Sequence, residues 1–446
     1  MKNAFHAYDI RGIYNEDFNK EDVYKIGFFI SQLLNTKEIV VGRDGRNSSP
    51  EIHEALLKGI TDSGADVYDI GLATTPMVYF ATANYGFKAG VQITASHNPA
   101  KYNGLKISRE NALPVGYDSG LDKLEKLATE GEIKPVANKG KVYEKNIRQD
   151  YINFQQKFLK DCSNIKVGVD ISNGAASVII RDIWPSDFTY INQELDGNFP
   201  NHSPNPLMEE NTRQMQQLVK NEKLDIGLVF DGDADRVVFV DDLGRHIAPD
   251  LIIAAMADYF FNERKMKGIV IEDIRTSKSV GEYIANFGGE MYMWKVGRAN
   301  AAPRLRELDG IYGGEFAGHY YFKDFFYSDS GILAGTIVLG IVSKLKAEGK
   351  KFSALIDEIT HYYNSGEINF KLEDKKGAME RVKNYFVEKE KPTAFYDFDG
   401  YRVEYQDWWF NIRMSNTEPY LRLLCEAKTK EMLQEKVDVI SKLITQ

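Results

Sequence analysis

Gly227-Leu228-Val229-Phe230-Asp231-Gly232-Asp233-Ala234-Asp235-Arg236 carries an unbroken apolar run straight into three carboxylates at alternate positions, with small residues between them and an arginine behind. Such a run reads as a buried strand that delivers a polar tip. The pattern recurs at Ile39-Val40-Val41-Gly42-Arg43-Asp44, Val167-Gly168-Val169-Asp170 and Ile269-Val270-Ile271-Glu272-Asp273. Between these runs lie helix-like segments: Pro50 to Ser63, with Ile52, Leu56 and Ile60 at helical spacing, and the periodic stretch from Asp250 to Asn262. The alternation predicts several α/β domains in tandem, with functional loops at the carboxyl ends of the strands. From Phe370 the pattern changes. A strand, a charged helix over Lys375 to Lys389, strands at Ala394 to Tyr405, Trp408 to Met414 and Tyr420 to Ala427, and a last helix from Lys430 make an α+β segment.

At 446 residues the chain exceeds what one core organises, so three or four domains are expected. Boundaries fall in the polar, turn-rich stretches around Gly131 to Tyr143, near Asp242-Leu243-Gly244-Arg245 and around Asn364-Ser365-Gly366-Glu367, dividing the chain into residues 1–143, 144–246, 247–364 and 365–446. With 56 basic and 65 acidic residues the net charge is −9, which argues against general nucleic-acid binding. Cys162 and Cys425 stand far apart, without metal-ligand spacing and with no disulfide framework. The segment Met1 to Asp9 lacks an apolar signal-peptide core, and the longest greasy stretch, Gly331 to Val342, is too short to span a bilayer. A soluble cytoplasmic protein with no membrane partner is expected.

Three clusters carry chemistry. In Thr94-Ala95-Ser96-His97-Asn98-Pro99-Ala100, followed by Asn103, Gly104 and Lys106, Ser96 is either a turn former or a nucleophile. The Gly-x-Ser-x-Gly elbow of hydrolases is absent, and His97, adjacent in sequence, is poorly placed for a triad. Asp231, Asp233 and Asp235 form either a solvated acidic loop or a Mg²⁺ site; three like charges this close repel unless a cation is bound, which favours metal. An EF-hand does not fit, because the sixth position from Asp231 is Arg236 rather than glycine and the twelfth is Asp242 rather than glutamate. Arg413-Met414-Ser415-Asn416-Thr417-Glu418-Pro419, with Arg422 beyond, offers a guanidinium, hydroxyls, an amide and turn N–H groups, either as a phosphate cradle or as a capped turn. Gly313-Gly314-Glu315-Phe316-Ala317-Gly318-His319 either holds sugar hydroxyls or closes a turn.

Taken together, and with Tyr8-Asp9-Ile10-Arg11-Gly12 and Asp196-Gly197-Asn198-Phe199-Pro200 in the same order, these motifs resemble the α-D-phosphohexomutases, most closely the bacterial phosphomannomutase/phosphoglucomutase group, along essentially the whole chain. The resemblance implies three α/β domains with mixed sheets around a central cleft and a mobile C-terminal α+β domain. It implies a phosphoserine at Ser96, with Mg²⁺ held by Asp231, Asp233, Asp235 and a phosphoserine oxygen, and Arg236 supporting that site. Hexose 1-phosphate and 6-phosphate would interconvert through a hexose 1,6-bisphosphate, which also serves as activator. Arg11 and Lys106 match positions near the transferring group, and Lys106 or His97 would assist proton transfer. Arg413, Ser415, Asn416 and Thr417 match the cradle for the distal phosphate. Tyr8, Arg275, Arg298, Glu315 and His319 match substrate-binding positions.

Two departures concern sugar preference: Ala317 stands where the family usually has serine, and Arg298 where the bacterial group usually has histidine. Phosphoglucosamine mutase, a non-catalytic sugar-phosphate binder and a Mg²⁺-dependent phosphatase are the rival readings. Asn416 favours the mannose/glucose group over the glucosamine group. Sugar phosphates are the expected partners, and a monomer or weak homodimer the expected assembly.

Overall fold

A computed structural model of the chain describes residues 1, 4–415 and 419–446. Among them lie four sheets. In the first, the spatial order is Ile10–Ile13, Tyr102–Arg109, Ala89–Ile93, Glu38–Arg43, Asp66–Leu72 and Val142–Glu144. Its first three strands pair antiparallel and the rest parallel. The second runs Val237–Asp241, Ile226–Phe230, Val167–Asp170, Thr189–Ile191, and the third Glu290–Trp294, Ile269–Asp273, Tyr312–Gly314, Tyr320–Phe322, Ser328–Asp329. Both mix parallel and antiparallel pairs. The fourth is antiparallel throughout, around Leu421–Ala427 and Trp408–Met414.

The strands read from sequence as buried are so: every residue of Ile226–Phe230 and Val167–Asp170 is buried, which explains their continuous apolar runs. Helices cover the sheets and place the polar tips together. Lys20–Leu33 begins at a capping box made by Asn19 and Asp22, and Ser49–Asp62 packs against it through Ile52, Leu56 and Ile60. Gly331–Ala347 is apolar because it is a core helix, with Gly331 to Val342 buried. No helix among the described residues is long and apolar enough to cross a membrane.

Two expected elements come out divided. The periodic stretch from Asp250 is α-helical only over Pro249–Ala255 and continues as a π turn over Asp258–Glu263, which leaves Tyr259, Phe260 and Phe261 all buried. The run from Ala394 breaks into Ala394–Tyr396 and Tyr401–Glu404 around Gly400, whose φ of 73° is left-handed.

The cores show which parts move together. One cluster joins the second and third sheets and reaches the helix Thr75–Asn84 of the first; Trp184 packs in it and donates from Nε1 to Thr336 Oγ1 at 2.9 Å. The C-terminal sheet has a separate core around Trp408, Phe410 and Ile440. Its contacts with the third sheet include a stack of Phe398 on Trp294, ring centroids 5.7 Å apart, and several polar bonds. Arg402, stacked on Trp409, donates from Nη1 to the carbonyls of Ile274 (2.8 Å) and Thr276 (2.6 Å), and Val296 N donates to Asp399 Oδ2 at 2.9 Å.

Beside this contact lie Asp250, Glu272 and Glu426, all buried. Burial, reinforced by Glu426, pushes Asp250 up to about 7. Burial, reinforced by Glu404 and opposed by Arg402, pushes Glu272 up to about 8. Both groups therefore hold protons in the folded chain that the unfolded chain releases, so their contribution to stability falls as pH rises from about 4 to 8. The double variant Asp250→Asn, Glu272→Gln is expected to flatten that slope and to raise the melting temperature at pH 8 by several degrees, measured by differential scanning calorimetry across the pH range. An unchanged slope refutes the assignment.

Candidate active site

Ser96 lies past the end of Ala89–Ile93, fully buried, with a φ of 50° in the left-handed region. A serine there costs on the order of 1–3 kcal/mol, so the surroundings must hold it. They do so through Arg46. Its Nη2 donates to the carbonyls of Ser96 and Asn98, each at 2.7 Å, and its Nη1 to those of Pro99 (2.8 Å) and Tyr102 (3.0 Å). Nε closes the arrangement on Asp44 Oδ2 at 3.1 Å. Burial raises the Asp44 carboxyl and lowers the Arg46 guanidinium, each offset by the other's charge. The sequence reading missed Arg46; its trace was the polar tip Asp44-Gly45-Arg46 after the strand Glu38–Arg43.

The Ser96 hydroxyl donates to Asp231 Oδ2 at 2.7 Å, joining the first sheet's loop to the second's. A side chain at Gly232 would meet the Ser96 carbonyl at 2.5 Å, so only glycine permits this approach. Asp231, Asp233 and Asp235 are buried, and each offers an oxygen within 4.8 Å of the others. Lys106 donates to Asp233 Oδ2 at 2.7 Å and to Asp235 Oδ2; among the described residues neither Oδ1 accepts a hydrogen bond, and Asp235 Oδ1 has only the longer ion pairs to His319 (3.5 Å) and Arg236 (3.9 Å). Burial and the two neighbouring carboxylates push Asp231 well above the usual range. Against the same burial, Lys106 and His319 hold Asp235 well below it. Lys106 itself is held charged: burial opposes this, but Asp233 and Asp235 outweigh it. Three oxygen donors with open lone pairs are a hard-cation site.

Arg11 reaches the serine loop because Ile10–Ile13 pairs with Tyr102–Arg109; it donates from Nη1 to Asn98 Oδ1 at 2.7 Å and pairs with Asp9. His97 is half-buried with Nδ1 unpartnered; desolvation, then the charges of Arg236, Arg11 and Lys106, keep it neutral. Arg236 lies 3.9 Å from both Asp231 and Asp235 and donates from Nε to His319 Nε2 at 2.9 Å. His319 also faces Glu315 at 3.3 Å through Nδ1. Arg236 requires a neutral acceptor, whereas Asp235 and Glu315 favour the imidazolium; despite burial, they raise His319 to about 9. Glu315 Oε1 accepts from Gly297 N and the Tyr321 hydroxyl, both at 2.9 Å.

A second group, Asp235, His319 and Asp329, also converges. Arg298 donates from Nε to Asp329 Oδ1 at 2.8 Å, and Arg236 bonds His319, so this group already has cationic partners. Arg298 also donates to the Ala112 carbonyl at 2.8 Å and stacks 3.7 Å over the Tyr79 ring, tying the third sheet's domain to the first's. Tyr8 donates to the Val296 carbonyl at 2.9 Å on the same border.

The third cluster gathers arginines. Arg275 is gripped by Asp273, with Nε to Oδ1 at 3.0 Å and Nη2 to Oδ2 at 2.7 Å. Arg413 and Arg422 are direct cross-strand partners. Arg413 is buried, 3.6 Å from Asp399, and burial together with the Arg275 charge lowers its pKa. Ser415 N donates to the Tyr420 carbonyl at 2.9 Å. Asn416 and Thr417 lie outside the described residues.

Fold and clusters together place a hydroxyl, a carboxylate set able to hold a hard cation and a group of arginines suited to anionic groups on neighbouring loops and strands. Four family models match in succession: phosphoglucomutase/phosphomannomutase alpha/beta/alpha domain I over residues 2–134, domain II over 141–244, domain III over 248–363, and the C-terminal domain over 367–443. A phosphomannomutase of Escherichia coli is 36% identical over 96% of this chain and 98% of its own length. A phosphoglucomutase/phosphomannomutase family protein of Burkholderia thailandensis superposes with a TM-score of 0.90 at 27% identity, covering 100% of this chain and 98% of that one. The N-acetylphosphoglucosamine mutase of Aspergillus fumigatus, solved with GlcNAc-6P and magnesium, shares the fold, with a TM-score of 0.66 at 14% identity over 100% of this chain and 96% of that one. The chain belongs to the phosphoglucomutase/phosphomannomutase family and is a phosphohexomutase, an isomerase.

Arg46→Met removes the fork that holds the Ser96 loop and strands Asp44 in the interior. It is expected to lower the unfolding free energy by ~3–5 kcal/mol in urea denaturation, with Arg46→Lys recovering only part of the loss. A loss below about 1 kcal/mol shows that the loop holds itself.

Proposed function

We propose that the protein interconverts hexose 1-phosphate and hexose 6-phosphate, of mannose or glucose or both, through a phosphorylated Ser96 and a hexose 1,6-bisphosphate. The observation that carries this reading is the Ser96 hydroxyl on Asp231, 2.7 Å away, beside the buried Asp233 and Asp235, whose Oδ1 atoms accept no hydrogen bond from the described residues. A nucleophile directed into a hard-cation site is what phosphoryl transfer needs and what sugar binding alone does not.

The residues fit Mg²⁺: Asp231, Asp233 and Asp235 would hold it with an oxygen on Ser96. When bound, its chemistry is to neutralise charge on the transferring phosphoryl group. Ser96 carries that group. In the first half-reaction the serine O–P bond breaks as the free sugar hydroxyl bonds to phosphorus, and the hydroxyl proton leaves to a base, for which the neutral His97 is the candidate; Lys106, held charged by Asp233 and Asp235, serves instead as a cation beside the transferring group. The bisphosphate then reverses end for end and returns its other phosphate to Ser96. Arg11 and Arg236 position the serine loop and the carboxylates. Arg275, Arg413, Ser415, Asn416 and Thr417 grip the distal phosphate, and Tyr8, Arg298, Glu315 and His319 receive the sugar. The A. fumigatus complex with GlcNAc-6P and magnesium supports this use of the fold, and the E. coli phosphomannomutase supports mannose.

With Mg²⁺, a trace of glucose 1,6-bisphosphate and mannose 1-phosphate or glucose 1-phosphate, the 6-phosphate is expected to appear, and EDTA is expected to stop it. Release of inorganic phosphate instead, or turnover of glucosamine 1-phosphate alone, overturns the reading. Ser96→Ala is expected to remove the phosphorylated species from the intact-mass spectrum while leaving the melting temperature near that of the parent. Arg413→Ala is expected to raise KM roughly 10- to 100-fold, the effect of losing charge-assisted hydrogen bonds; an unchanged KM places the distal phosphate elsewhere.

A further inference from the structure

Glu367 stands where the third domain passes into the fourth, and the chain is pinned on both sides of it. Before it, Tyr363–Asn364 pairs with Glu426 and Ala427, and Ser365 exchanges hydrogen bonds with Cys425. After it, Ile368–Phe370 pairs with Leu421 to Leu423. Gly366, with a φ of 66° and open space where a side chain would be, makes the turn between. Glu367 thus rides on the C-terminal sheet, yet its carboxylate spans two domains. Oε1 lies 2.9 Å from Arg422 Nη1, and Oε2 accepts from Arg275 Nη1 at 3.4 Å.

This is the way a phosphate meets two guanidinium groups, one oxygen to each. Arg275 is fixed from behind by Asp273, so the nitrogen it offers to Glu367 is Nη1. Arg413, the cross-strand neighbour of Arg422, completes a set of three guanidinium groups. Asp273 and Asp399 already lie against Arg275 and Arg413, and Glu367 adds a further carboxylate to the set; without it the arginines would bind a dianion more tightly, and the proposed cycle requires that phosphate to be let go within each turnover.

We infer that Glu367 is a positioning residue that occupies Arg275 and Arg422 while the cradle is empty and yields them to the substrate phosphate, so that the bisphosphate is held loosely enough to reverse. The inference rests on the assignment of the arginine cluster as the distal-phosphate cradle. Glu367 acts by competition: it keeps the two guanidinium groups facing one another across the domain border and weakens the grip on any anion that replaces it.

The test titrates inorganic phosphate into the full-length protein and its Glu367→Gln, Glu367→Asp and Arg413→Ala variants by calorimetry, alongside steady-state kinetics. Glu367→Gln is expected to bind phosphate about tenfold more tightly, the scale of one charge-assisted hydrogen bond, and to lower KM and kcat together. Glu367→Asp, which keeps the charge, is expected to restore kcat toward the parent value. If Arg413→Ala weakens phosphate binding but Glu367→Gln leaves it unchanged or weaker, the cradle stands and the competitive role of Glu367 falls. If Arg413→Ala leaves phosphate binding unchanged, or if neither the parent nor Glu367→Gln binds phosphate, the cradle assignment falls and this inference with it.

Discussion

Three carboxylates buried within 4.8 Å of one another cannot all be ionised without a positive charge among them, and much of the molecule is arranged around that constraint. Lys106 supplies one charge from the first sheet, bonding Asp233 and Asp235, and Arg236 supplies another from the end of the aspartate loop. Neither satisfies every oxygen. Among the described residues the Oδ1 atoms of Asp233 and Asp235 accept no hydrogen bond, Asp235 Oδ1 having only long ion pairs to His319 and Arg236, and a buried carboxylate oxygen without a hydrogen bond is costly enough that its retention points to a ligand. Asp231, the carboxylate least compensated by cations, is the one that accepts from Ser96, so the repulsion and the nucleophile meet at a single contact.

Much of this was legible in the sequence, because a buried strand that ends in a polar residue leaves a local signature. The tips at Asp44, Asp170, Asp231 and Asp273 all fall at the carboxyl ends of strands in α/β sheets. What was not legible depends on partners far apart along the chain. Arg46 follows an apolar run much as other arginines here do, and only the folded loop shows that it binds carbonyls of Ser96, Asn98, Pro99 and Tyr102. Arg298 stands at a position associated with substrate by resemblance, but its bonds to Asp329 and Ala112 and its stacking on Tyr79 are visible only in three dimensions. The left-handed φ of Ser96 leaves no trace in composition, since serine is uncommon in that region.

The distribution of cores gives these contacts a mechanical meaning. The serine loop, the aspartate loop and the Glu315 loop rise from sheets whose hydrophobic cores are joined or bridged by Arg298, so their mutual geometry is resistant to change. The Arg413 strand belongs to a sheet with its own core, attached to the third domain by Arg402, the Val296–Asp399 and Lys278–Tyr405 bonds, Glu367 and the Trp294–Phe398 stack. Polar bonds of this kind are exchanged for bonds to water at modest cost, unlike a severed apolar core. That division concentrates rigidity at the serine, aspartate and Glu315 loops, and it leaves the border that can loosen beside the arginines of the C-terminal sheet.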